Sequence, residues 1–81
     1  MTKFHLVCES FGRGEVSIEV IEVEAESAAR AILGHVGMTF EADMLVTEGE
    51  TGRFVSDTDI IGVGPTAGAA AMQFVEAKAT A

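Results

Sequence analysis

Two periodicities divide the chain. Phe4, Leu6 and Cys8 alternate with Lys3, His5 and Glu9, the two-residue repeat of a strand with one face buried. Phe11-Gly12-Arg13-Gly14 interrupts it, and its glycines make a hairpin loop the expected connection. Alternation resumes with Val16, Ile18 and Val20 on one side and Glu15, Ser17 and Glu19 on the other. After Val20 the pattern slips by one residue: Ile21, Val23 and Ala25 become the apolar set, Glu22 and Glu24 the polar set. A β-bulge at Val20-Ile21 would absorb the slip and keep one face apolar throughout. Without it the strand would carry carboxylates on both faces.

The repeat then becomes helical. Glu26 or Ser27 can cap a helix in which Ala28, Ala31, Ile32, His35 and Val36 recur on one side, and Gly37 ends it. Met38-Thr39-Phe40 reads as a connection, followed by a strand around Met44 to Thr47, a turn over Glu48 to Gly52 and a return strand from Arg53 to Ser56. Asp57-Thr58-Asp59 breaks the chain before the short apolar run Ile60-Ile61-Gly62-Val63. Pro65 suits a helix start, and Thr66 to Lys78 read as a helix with Ala71, Phe74, Val75 and Lys78 along one side. The expected order is ββαββ(β)α. It makes an α+β fold, a small antiparallel sheet of four to five strands with two helices packed on one face, as one domain over residues 1–81. The segments IEVEAESAARAI (21–32) and IGVGPTAGAAAM (61–72) agree at four of twelve positions, two of them alanines, too faint an echo to establish a duplication.

Composition changes this picture in three ways. Hydrophobic residues are 48% of the chain and the mean hydropathy is +0.34, rich for a domain that buries only about 60% of its unfolded surface, so a second copy or a partner is expected to cover part of it. The one cysteine, Cys8, allows no internal disulfide and points to a reducing cytoplasm. The N-terminal apolar stretch is too short for a signal peptide, and the longest apolar run, broken by glycines and Pro65, falls short of the ~20 residues that span a bilayer. Thirteen acidic against five basic residues give a net charge of −8, with no Trp or Tyr and the bases scattered at Lys3, Arg13, Arg30, Arg53 and Lys78. That balance argues against direct nucleic-acid binding and favours a basic partner.

Candidate chemistry is thin. The glycines of DIIGVGPTAGAAAM fall at 62, 64 and 68, one residue off the spacing of a dinucleotide fingerprint, with only thirteen residues following Gly68. Close helix packing is the simpler use for them. His5 and Cys8, three apart on a strand, point to opposite faces and cannot readily share a metal ion; His35 suits a helix-end or interface role. A catalytic Cys8 would need a lowered pKa and a histidine partner, whereas its alternation places it in the core. Asp57-Thr58-Asp59 lacks the later ligands of a calcium loop. No catalytic residue, metal or cofactor is assigned.

The glutamates remain. With the bulge, Glu15, Glu19, Glu22 and Glu24 would share one face of the strand, at steps of roughly 6.6 Å per two residues. Such a stripe is either a solvated outer face that discourages edge pairing or a docking surface for a basic partner. In the second case affinity needs apolar anchors, for which Phe11, Phe40 and Met38 in expected loops are candidates.

Small size, acidic balance, absence of a catalytic signature and the strand–helix–hairpin run from Glu15 to about Phe54 together resemble small phage proteins made against host defences, including type I anti-CRISPR proteins. The resemblance implies a non-enzymatic, stoichiometric inhibitor that occupies a basic surface on a larger ribonucleoprotein effector complex. It carries over no functional residue. The alternative expectation is a self-assembling structural or small-ligand module with a homo-oligomer interface, such as a homodimer; a third is an enzyme working through Cys8 and a histidine.

Overall fold

Strands β1 (Thr2–Gly12) and β2 (Glu15–Ala25) form a long antiparallel hairpin in the computed structural model, which describes residues 1–12, 14–37 and 45–80. Helix α1 (Ala28–Val36) follows, then β3 (Leu45–Glu48), β4 (Thr51–Val55), β5 (Asp59–Gly64) and helix α2 (Ala67–Thr80). The fold is α+β, and its five-stranded antiparallel sheet has the order β2-β1-β5-β4-β3. The short run expected as an optional strand is thus the central one. β5 pairs with β1 on one side and β4 on the other.

β5 also decides where the helices sit. Ile61 and Val63 join Phe4, Leu6, Cys8, Phe54 and the α1 residues Ala28, Ala31, Ile32 and Leu33 in one buried cluster. The intervening Gly62 and Gly64 lie against α2: a Cβ on Gly62 would meet the backbone of Ala70 and Phe74, and one on Gly64 would meet Ala69 and Ala70. Successive residues of a strand point to opposite faces, so α1 and α2 cover opposite faces of the sheet. The expectation of both helices on one face is corrected accordingly. The reason is visible in β5 itself, whose unbroken apolar run is what a strand covered on both sides requires.

The helix ends follow the sequence. Ser27 Oγ accepts the Arg30 N–H at 3.2 Å to cap α1, and Gly37, at φ 77°, donates its N–H to the Leu33 carbonyl in the left-handed C-cap that glycine adopts most easily. Thr66 Oγ1 accepts the Ala69 N–H at 3.1 Å, so α2 begins after Thr66 and runs to Thr80 rather than Lys78. Its sheet-facing residues are the small Ala70 and Ala77, both fully buried, with Phe74 half-buried between them; Ala71 and Val75, expected along one side with Phe74 and Lys78, are exposed. No helix among the described residues is long and apolar enough to cross a membrane.

Candidate interaction surface

The hairpin register is one-to-one from Thr2↔Ala25 to Gly12↔Glu15, so no extra residue is accommodated at Val20-Ile21 and the expected β-bulge is absent. The slip in the pattern therefore becomes a change of face. Ala25, Val23 and Ile21, opposite Thr2, Phe4 and Leu6, turn toward α1, where Ala25 is buried and the other two pack on the core. Glu19 and Glu15 lie on that same α1 side, opposite Cys8 and Gly12. Glu24, Glu22, Val20, Ile18 and Val16 occupy the α2 side. The single carboxylate stripe expected from the sequence is overturned: Glu15 and Glu19 face one way, Glu22 and Glu24 the other.

What the α2 side presents instead is a row of apolar residues. Val16, Ile18 and Val20 are 63%, 60% and 59% exposed, because α2 crosses β5, β1 and β4 and leaves β2 largely uncovered. On β1, Phe11 stands opposite Val16 and Val7 opposite Val20. Phe11 is half-buried at the end of a strand rather than in a loop, and it continues the row inward. Phe40 and Met38 lie outside the described residues. The row was missed in the sequence because the bulge would have turned Val16, Ile18 and Val20 inward.

Charge around the row is largely uncompensated. Lys3 Nζ lies 3.7 Å and His5 Nε2 3.1 Å from Glu22, both on exposed carboxylate oxygens, and such pairs contribute only ~0–1 kcal/mol. Among the described residues Glu15, Glu19 and Glu24 make no ion pair. Arg53, on the α2 side of β4, is held by Gln73 and Glu76 of α2 and so is turned away from β2. Lys78 is bound to Glu9, a buried carboxylate on the α2 side of β1. Among the described residues His5 Nδ1 is buried without a partner, while its Nε2 meets Glu22 Oε1 at 3.1 Å.

The other candidates of the sequence resolve into structural roles. His5 faces α2 and Cys8 faces α1, so they do not converge. Cys8 is fully buried, and desolvation, reinforced by the negative charges of Glu19 and Asp59, pushes its thiol up to about 11. Asp59 Oδ1 accepts from Ser10 Oγ at 3.0 Å, its Oδ2 accepts from Thr58 Oγ1 at 2.8 Å, and Ser56 Oγ accepts the N–H groups of Thr58 and Asp59; the aspartate cluster is a capped turn between β4 and β5. A shallow depression of about 360 Å³ on the outer side of α2, lined by Ala71, Met72, Val75 and Glu76, lacks the convergent polar groups of a ligand pocket.

These positions make a prediction for Cys8. With its pKa near 11, roughly one thiol in a thousand is ionised at pH 8, and that one is out of reach of solvent. Iodoacetamide at pH 8 is expected to label the native protein at least ~100-fold more slowly than the urea-unfolded chain, read by intact mass. Equal rates would return Cys8 to the candidate nucleophiles.

No protein-family model matches this chain, and comparison with curated proteins and with solved structures finds no match.

Proposed function

We propose that this is a non-catalytic binding protein that docks on a basic protein partner through the α2 side of β2. The observation that carries the reading is the row Val16, Ile18 and Val20, exposed on a chain of net charge −8 and bordered by Glu22 and Glu24. Apolar contact supplies affinity, and the surrounding field speeds encounter and selects against acidic partners. This division of labour replaces the single acidic stripe, which the register does not allow. A buried, un-ionised Cys8 facing away from His5 supports a binding role over a thiol enzyme. A second copy is a poorer partner than a basic protein, because it would bring two chains of −8 together. Occupation of the basic, nucleic-acid-binding surface of an effector complex such as a type I CRISPR complex is the narrower form of this proposal. It is supported by the resemblance in module order and by charge, and it places the protein in the cytoplasm.

Two variants test the reading. Threonine at Val16, Ile18 and Val20 keeps β-branched side chains on an exposed strand while removing apolar surface, and lysine at Glu22 and Glu24, which border the row, reverses the charge. In affinity capture from host lysate, the threonine variant is expected to lose the specific partner at all salt concentrations. The lysine variant is expected to lose it mainly at low ionic strength, where the Debye length is longest. If both variants retain every specific partner, the row and its carboxylates are only solvated surface. If the partner is captured equally well after being saturated with nucleic acid, occupation of a nucleic-acid site is ruled out.

A further inference from the structure

Backbone geometry adds something the side chains alone do not. In an extended strand the N–H and C=O of one residue point to the same side, and the next residue's point to the other. The Phe11 N–H bonds the Thr58 carbonyl at 2.8 Å, continuing the β1–β5 ladder, so the odd-numbered residues of β1 direct their backbone groups at β5 and the even-numbered ones at β2. Their partners on β2 are Ser17, Glu19, Ile21 and Val23. The outward backbone groups of β2 therefore belong to Val16, Ile18, Val20, Glu22 and Glu24, the same residues whose side chains form the apolar row and its acidic continuation.

An edge of this kind is normally protected by shortness, proline, charge or a bulge. β3, the opposite edge, has four residues, whereas β2 has eleven with no proline and no bulge, and its only charges are glutamates, which repel an acidic strand but not a basic one. We propose that β2 receives an extended basic segment of the protein partner, which adds to the sheet as a sixth strand, antiparallel to β2. This rests on the reading of the row as the docking surface and specifies how it is used. Residues of the incoming strand opposite Val16, Ile18 and Val20 are apolar. Those opposite Glu22 and Glu24 on the same face, and opposite Glu19 on the other, are Lys or Arg, which supply the cations that Glu19 and Glu24 lack among the described residues. A second copy is the competing occupant: two-fold pairing about Ile18 would match the row with itself. It would bring no cation to either glutamate and would add charge of the same sign.

The probe is the labelled peptide Lys-Val-Lys-Val-Val-Lys-Ile-Thr-Val, written to lie antiparallel to β2 from Glu24 to Val16, titrated with the full-length protein by fluorescence anisotropy at low salt. Strand addition predicts saturable binding that is weakened ~10-fold or more by N-methylation of the peptide residues opposite Val20 and Ile18, and less than about twofold by N-methylation of those opposite Ile21 and Glu19. On the protein side, Ile18→Pro removes an outward N–H that β1 does not use, a position where an edge strand tolerates proline. It is expected to weaken binding ~10-fold more than Ile18→Ala, with the fold checked by circular dichroism. Should Ile18→Pro fail to fold, the N-methyl series decides alone. Equal effects of the two N-methyl sets overturn strand addition and leave side-chain docking of a basic partner standing. Equal binding of a peptide with glutamate in place of lysine overturns the basic-partner reading itself. Absence of peptide binding overturns the proposal, and a dimer in sedimentation that Ile18→Pro abolishes then identifies the occupant as a second copy.

Discussion

Gly62→Ala is expected to lower the melting temperature by roughly 10–20 °C, followed by far-UV circular dichroism because the chain has no Trp or Tyr to report by fluorescence. The added methyl would fall inside contact distance of the Phe74 nitrogen and the Ala70 carbonyl oxygen, with Phe74 Cα at 2.8 Å. These are helix backbone atoms, which cannot rotate aside as a side chain can. α2 must lift off β5 or tilt, and overpacking of that kind costs about 2–3 kcal/mol, which in a domain of this size shifts the transition by 4–8 °C per kcal/mol. Gly34→Ala is the internal control. Gly34 is exposed within α1, with nothing within 4 Å of the new Cβ and no positive φ, so alanine there is expected to stabilise by ~0.5–1 kcal/mol through helix propensity. Equal and small effects at both positions would mean that α2 is not seated on the glycines of β5.

The second large effect is expected at Lys78. Its Nζ donates to both oxygens of Glu9, at 3.2 and 2.9 Å, and sits 5.9 Å above the Phe74 ring. Glu9 is 3% exposed, on the α2 side of β1 between Ile18 and Ile60 in the register, while Lys78 is half in solvent. Lys78→Ala leaves a carboxylate under the helix with no counter-ion. Breaking a fully buried pair costs about 3–5 kcal/mol; with water already at one partner, about 2–3 kcal/mol is expected. The double change Glu9→Leu with Lys78→Leu removes both charges and is expected to recover most of that loss in urea denaturation, since an apolar pair of similar volume needs no desolvation of ions. A double variant as unstable as Lys78→Ala would show that the lysine acts through packing on Phe74 instead.

Much of the architecture was legible because its signals are local. Ser27 and Gly37 bracket α1 as a capping side chain and a left-handed stop should, and the alternation of Phe4, Leu6 and Cys8 marks the inner face of β1. The placement of α2 was not. A strand that reads as Ile60-Ile61-Gly62-Val63 is apolar on both sides and so calls for a helix on each, but a run of four apolar residues with a glycine inside it is too short to mark itself as the central strand. The candidate site is hidden by one ambiguity in β2. A bulge and a swap of faces write the same pattern into β2, and β1 is what distinguishes them. Phe11 is out of phase with Phe4, Leu6 and Cys8, so β1 changes face as well, and an apolar residue at Val16 finds Phe11 beside it only if the register runs through without a bulge. The cue lay across the hairpin, not along the strand.

Late arrival of the middle strand has a consequence for how the protein is made. β1 leaves the ribosome first and can fold back on β2, but its other neighbour is separated from it by most of the chain, as in the pairing of His5 with Gly64. β3 and β4 have no central strand to join until β5 is synthesised, so the two parts of the sheet are united only when β5 pairs with β1 and β4. Such distant pairing slows folding, and in the interval both the apolar cluster and the β2 edge stand open to whatever is nearby. Aggregation during refolding is therefore expected to rise with protein concentration until β5 has joined the sheet.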